Sequence, residues 1–213
     1  MVSRMRRTGQ LAIASGIVGV LATVVLIAFY ILEAPQAVAA GAKTAPLGAI
    51  NDALGGVEYL LLVPVAAMLR PAGSGLSRLA AIAAVAGLVG VAVTQELYVF
   101  GAIGPEVDYP VIAVGNGLIG VWIGTVGLVA GRSVHLPRGL TLFGVAIGVG
   151  MLLIPVGVFL LGGLSVMTAP KVVLNNIPFF ATVGIAIIAI AIGLPVWSIW
   201  LGRHLVATRL AAA

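Results

Sequence analysis

Two ionisable side chains, Glu58 and Glu96, stand inside long apolar runs of this 213-residue chain. Carrying a carboxyl group away from water is costly, so an acid within a membrane-spanning segment marks a candidate site. Protonated, it donates a hydrogen bond or a proton; ionised, it attracts a cation. Asn51 precedes Glu58 by seven residues, two helical turns, so both project from one helix face. Thr94 and Gln95 adjoin Glu96, Tyr98 follows it, and Asn116 lies about six residues into the next apolar run. Asn175 and Asn176 stand where the last run begins. All these residues fall toward the same side of the membrane, and the other halves of the runs carry no comparable set. At 1.5 Å per residue both glutamates are expected roughly 6–12 Å below that boundary, on neighbouring helices. The expectation is a polar pocket opening to that side and closed below by apolar packing. Its ligand-binding residues would be Asn51, Glu58, Gln95, Glu96, Tyr98, Asn116 and Asn175. If the protein is an enzyme, Glu58 and Glu96 are the catalytic candidates.

Composition removes other chemistries. There is no cysteine, which excludes disulfides, thiolate nucleophiles and cysteine metal sites. Two histidines cannot build a three-histidine centre. No phosphate loop, nucleophile triad or dinucleotide fingerprint occurs, so no metal and no cofactor is expected. The net charge of +5 would suggest nucleic acid in a soluble protein. Here the basic residues sit in short segments between apolar runs, where anionic lipid headgroups are the better partner. The bilayer is therefore the expected partner, a small-molecule ligand is possible, and nucleic acid is not expected.

The elements that must position these residues are legible from hydropathy. The chain is 62% hydrophobic and 8% charged, with a mean hydropathy of +1.24. A soluble domain carries roughly 25% charged residues. Six runs reach the roughly 20 residues needed to cross the hydrocarbon core, at about 11–32, 50–69, 79–100, 110–131, 140–161 and 177–201. Continuous apolarity favours helices over the alternating stretches of a membrane barrel. The fold class is all-α: one transmembrane domain, 1–213, of six helices. Nine of the 11 basic residues (Arg4, Arg6, Arg7, Arg70, Arg78, Arg132, Arg138, Arg203 and Arg209) fall on one side. Only Lys43 and Lys171 fall on the other, beside Glu33, Glu106 and Asp108. The positive-inside rule places both termini in the cytoplasm. The first run has a rival reading as a signal peptide, with Ala37-Val38-Ala39 as the cleavage site, but it exceeds the 7–15 residues of a signal core.

Small residues should decide the packing, because lipid tails offer helices no hydrophobic reason to associate. Gly117, Gly120, Gly124, Gly127 and Gly131 alternate spacings of three and four and lay one stripe along the fourth helix. That stripe is a packing face, a groove for substrate, or a surface for a partner helix. Gly144 and Gly148 form a shorter face on the fifth. Pro64, Pro155 and Pro195 lie within spans and free backbone carbonyls there. Asp52 is expected to cap the second helix. Glu33, Glu106 and Asp108 are expected as solvated loop charges, and His135 and His204 as headgroup contacts. Trp122, Trp197 and Trp200 are expected in an aromatic belt at the inner surface, with Tyr30 and Tyr109 in the outer one.

A basic tail before the first span, a long first outer loop, and Leu136-Pro137-Arg138-Gly139-Leu140 with Gly144 opening the fifth span carry a resemblance. In these features the chain resembles an uncharacterised family of bacterial six-helix membrane proteins. That resemblance implies the fold and the bacterial inner membrane, and no activity. Through Glu58 and Glu96 alone the chain also resembles integral-membrane terpene cyclases, helical bundles with inward-projecting acids. Three functions stay open at this point. The first is binding, with or without transport, of a small amphipathic or cationic molecule. The second is an intramembrane enzyme using a protonated Glu as general acid on a lipid-soluble, terpenoid-like substrate. The third is an accessory subunit docking through its glycine faces.

Overall fold

The computed structural model describes residues 2–33, 45–69, 75–130, 136–162 and 177–207. Six helices are long and apolar enough to cross a membrane, and the chain is a multi-pass membrane protein with an all-α fold. Helix α1 is Val2–Ala28, ending in a π turn at Phe29–Glu33; α2 is Pro46–Met68; α3 is Gly75–Val99. Helix α4 is Pro105–Thr125 with a π turn at Val126–Ala130, and α5 is Arg138–Pro155 with one at Val156–Leu160. Helix α6 is Ile177–Ile188, a π turn at Ala189–Gly193, and Leu194–Ala207. Without water to accept them, backbone amides must bond within their own segment, which is why every span is helical.

The helix ends are set by local chemistry. Pro46 and Pro105 open α2 and α4 at positions whose N–H would have no intrahelical partner. Helix α3 closes with Gly101 in the left-handed region at φ 69°, the Gly101 N–H on Tyr98 O and the Ala102 N–H on Leu97 O. That paired arrangement satisfies two otherwise open carbonyls. Glu33 is no solvated loop charge: its carboxylate accepts the Leu47 N–H at 2.8 Å, placing an anion on the first turn of α2. Asp52 does not cap α2, because the helix starts at Pro46 and Asp52 lies in its second turn.

Each helix packs on the next in sequence, and α6 returns to α1, so the bundle closes as a ring. Arg4, Arg6, Arg7, Arg78, Arg138 and Arg203 stand at the helix ends on one side, the basic end. The ring interior toward that end is filled by Leu62, Val65, Ile123 and Leu201, with Leu88, Val91 and Leu194 nearer its middle. Trp122 and Trp197 belong to this core rather than to a surface belt. Both are 1% exposed, and their rings meet edge-on at 5.9 Å. Trp200, beside Phe143, remains on the surface. The outer faces carry exposed Leu21, Val24, Leu79, Ile82, Leu142 and Ile188, the apolar surface a bilayer covers.

Backbone contact at glycines holds the ring together. A Cβ at Gly120 would stand 2.7 Å from Gly148 O, and one at Gly148 2.6 Å from Gly120 O. Gly87 and Gly115 pair α3 with α4 in the same way, and Gly9 and Gly202 pair α1 with α6. Gly117 meets Pro155 and Gly127 meets Thr141 O, so α5 covers the glycine face of α4. Gly131 lies outside the described residues, as do Lys43, Arg70, Arg132, His135, Lys171, Asn175, Asn176 and Arg209. Gly148→Ala is expected to destabilise the protein by about 1–3 kcal/mol, since the intruding methyl meets backbone rather than a flexible side chain. Gly124→Ala, with nothing within 4 Å of the new atom, is expected to be neutral or stabilising. Thermal unfolding of the two variants in one detergent checks the contrast.

Candidate functional site

The site grows from one missing side chain. Gly19 on α1 has no Cβ, and the Glu58 carboxyl from α2 occupies the space: an added Cβ would lie 2.6 Å from its carboxyl carbon. The two helices are tied at the same level by the Ser15 hydroxyl, which donates to the backbone carbonyl of Glu58 at 3.1 Å. Glu58 is 5% exposed, and its Oε1 has no hydrogen-bond partner. Beside it lies a cavity of about 100 Å³. Gly19, Ala22, Thr23 and Leu26 of α1, Asn51, Gly55, Glu58 and Tyr59 of α2, Gln95 of α3, and Ile190 and Ala191 of α6 line it. Gln95 faces Gly55 and likewise has a buried oxygen, Oε1, without a donor.

Two contacts complete this chamber, made by Thr23 and Tyr59, neither of which the sequence singled out. Pro195 lacks the N–H that would otherwise bond to Ala191 O, four residues earlier. The Thr23 hydroxyl contacts that carbonyl from α1. Thr23 also contacts Gly19 O of its own helix, at 2.9 Å. The π turn of α6 therefore presents Ile190 and Ala191 to the cavity, with the irregular backbone satisfied by a neighbour. On the other wall, the Tyr59 hydroxyl donates to Asn116 Oδ1 at 2.9 Å across the ring from α2 to α4. Asn116 Nδ2 donates to Ile112 O. Asn116 is therefore a positioning residue for the Tyr59 ring and does not line the cavity. The signals in the sequence were Pro195 four residues after Ala191, and Gly19 and Thr23, one turn apart in the apolar first run.

The structure brings Asn51, Glu58 and Gln95 to one cavity and leaves Glu96 and Tyr98 out of it. Gly56 abuts Ala92 O and Glu96 Oε1 from α3, with an added Cβ 3.5 and 3.0 Å from them. Glu58, two residues on, is turned by about 200° around α2 and faces α1 instead. The Glu96 carboxyl therefore stands beside Gly56, about 3 Å of helical rise from Glu58 but on the other side of α2. What fails is the convergence of the two acids on one cavity, because Glu58 is turned onto Gly19 of α1 while Glu96 stays on the Gly56 side of α2.

Glu96 belongs to a second polar group nearer the helix ends. Asp52 on α2 lies within electrostatic range of Glu96 on α3 and of Asp108 on α4. Tyr98 and Tyr109 hydrogen-bond each other beside Asp108. Asp108 is not a solvated loop charge: it is 3% exposed, in the first turn of α4, with Oδ1 unpartnered. Its signal in the sequence was Gly104-Pro105-Glu106-Val107-Asp108, a proline opening a helix with acids in its first turn. Among the described residues no three His, Asp or Glu side chains gather closely enough to hold a metal ion.

No family model matches the chain, and no curated protein or solved structure matches it. Gly19→Ala is expected to force the Glu58 carboxyl from its seat and to destabilise the protein by about 1–3 kcal/mol. Gly19→Ala combined with Glu58→Ala should recover part of that loss. A double-mutant cycle on thermal unfolding checks this coupling.

Proposed function

We propose that this protein binds a small cation bearing N–H donors, of the protonated-amine class, in the Glu58 cavity. The observation that supports this reading is the pair of donorless acceptors, Glu58 Oε1 and Gln95 Oε1, on the wall of one cavity. Buried polar atoms normally have partners, and an ionised carboxylate away from water needs a cation or several donors. An ammonium group supplies charge and donors together. At about 100 Å³ the chamber suits a ligand of a few non-hydrogen atoms; an apolar cavity of roughly 150 Å³ holds benzene.

The apolar wall of Ala22, Leu26 and Ile190 suits a short alkyl substituent on that amine. With the basic end in the cytoplasm, the chamber lies in the outer half of a bacterial inner membrane. Leu26 and Asn51 stand nearest the outside, and the ring is closed inward by Leu62, Val65, Trp122 and Trp197. A ligand then enters from the external side, and transport requires that apolar plug to open.

The test is thermal unfolding of purified protein with methylammonium and, in parallel, tetramethylammonium, which has the charge but no N–H. Methylammonium is expected to raise the Tm of the wild type and of Glu96→Gln. Glu58→Gln should lose that response, and tetramethylammonium should give none. Glu58→Leu should abolish the response while leaving the unliganded Tm unchanged or higher, because removing a buried, unpartnered acid relieves the fold. A methylammonium response that survives Glu58→Gln would overturn the proposal.

A further inference from the structure

The basic end of the bundle carries a second concavity, separate from the Glu58 chamber. It is a groove of about 510 Å³ between α1 and α2, lined by Arg4, Arg7, Thr8, Leu11, Pro64, Ala67 and Met68. Arg4 and Arg7 are three residues apart, so both guanidinium groups rise from one face of α1. Both are exposed. None of the chain's six acidic residues lies at this end. Glu33 is at the far end of α1, Asp52 is in the second turn of α2 and Glu58 at its middle, and Glu96, Glu106 and Asp108 are at the far ends of α3 and α4. Among the described residues the two arginines thus have no acidic side chain to neutralise them.

Below the arginines the groove turns apolar. Leu11 lies one helical turn beyond Arg7, and the exposed Pro64 and Ala67 form the opposite wall. The floor is fixed by Thr8, whose hydroxyl lies 2.9 Å from Arg4 O and 2.7 Å from Met68 Sδ. From Arg4 to Leu11 the rise is roughly 10 Å. That distance matches a lipid phosphate at the interface with the first segments of an acyl chain beneath it. Charge at the top, hydrocarbon below and an open side toward the bilayer fit one ligand class better than a free anion.

We infer that the α1–α2 groove is a binding site for an anionic phospholipid, its phosphate held by Arg4 and Arg7 and its acyl chain laid on Leu11, Pro64 and Ala67. Arginine suits the task because its planar fork meets two phosphate oxygens at once. Lipid recognition by basic pockets between spanning helices follows the same physics.

The test is native mass spectrometry of the delipidated full chain in detergent, titrated with equimolar phosphatidylglycerol and phosphatidylcholine of identical acyl chains. Wild type should bind phosphatidylglycerol about tenfold more tightly, given the attraction of roughly two arginines at the interface. Arg4→Gln with Arg7→Gln should bring the preference within about twofold. Arg6→Gln with Arg203→Gln removes the same charge away from the groove and should keep it. Ala67→Trp fills the groove and should lose the preference with both arginines in place. All the replaced residues are exposed, so the variants leave the core packing intact. An equal loss in the Arg6/Arg203 control would mean diffuse surface charge and would overturn the site. So would an unchanged preference in Ala67→Trp, or displacement of the lipid by inorganic phosphate alone.

Discussion

Hydrocarbon supplies no hydrogen bonds and no reason for one helix to prefer another over lipid. Six apolar helices must therefore find specificity in close backbone approach. The reciprocal glycine pairs Gly9–Gly202, Gly87–Gly115 and Gly120–Gly148 give three of the six seams of this ring that contact. At the seam between α1 and α2 a glycine serves another end. Gly19 makes room for a carboxyl group, and the space it opens continues into the cavity between α1, α2, α3 and α6. The same residue type thus closes some seams and holds one of them open.

The cavity survives because its walls are satisfied from outside themselves. Pro195 frees a carbonyl that Thr23 engages from the next helix, and Asn116 holds Tyr59 from across the ring. The irregular π backbone of α6 is therefore no loose hinge but a wall fixed by a side chain of α1. Among the described residues the buried side-chain atoms left unsatisfied include Trp122 Nε1 and Ser198 Oγ in the bundle core and three oxygens of the polar residues. Glu58 Oε1 and Gln95 Oε1 share one cavity, while Asp108 Oδ1 stands in the neighbouring group with Asp52, Glu96, Tyr98 and Tyr109, joined to the cavity wall where Asn51 Nδ2 donates to Asp52 Oδ1.

Hydropathy alone placed the six spans, their alternation and the basic end, because the length of a membrane helix and its lack of charge are properties of consecutive residues. Helix starts were less legible. The run beginning at Pro110 hid five earlier helical residues, since Glu106 and Asp108 read as loop charges. They are the acids of a first turn. Trp122 and Trp197 were misplaced for a related reason. Position along a helix tells depth, but the direction a ring faces depends on which neighbour stands beside it, and here the two tryptophans face each other.

The pattern of residues determined by itself that Asn51 and Glu58 share a face, because two turns of one helix return to the same direction. It also determined that acids and amides gather in one half of the membrane. Whether Glu58 and Glu96 meet was a tertiary matter. The roll and offset of α2 against α1 and α3 turn Glu58 onto Gly19 and leave Glu96 on Gly56. Rotation and register between helices are set by the summed packing of all their small residues, and no single segment of the sequence contains that sum.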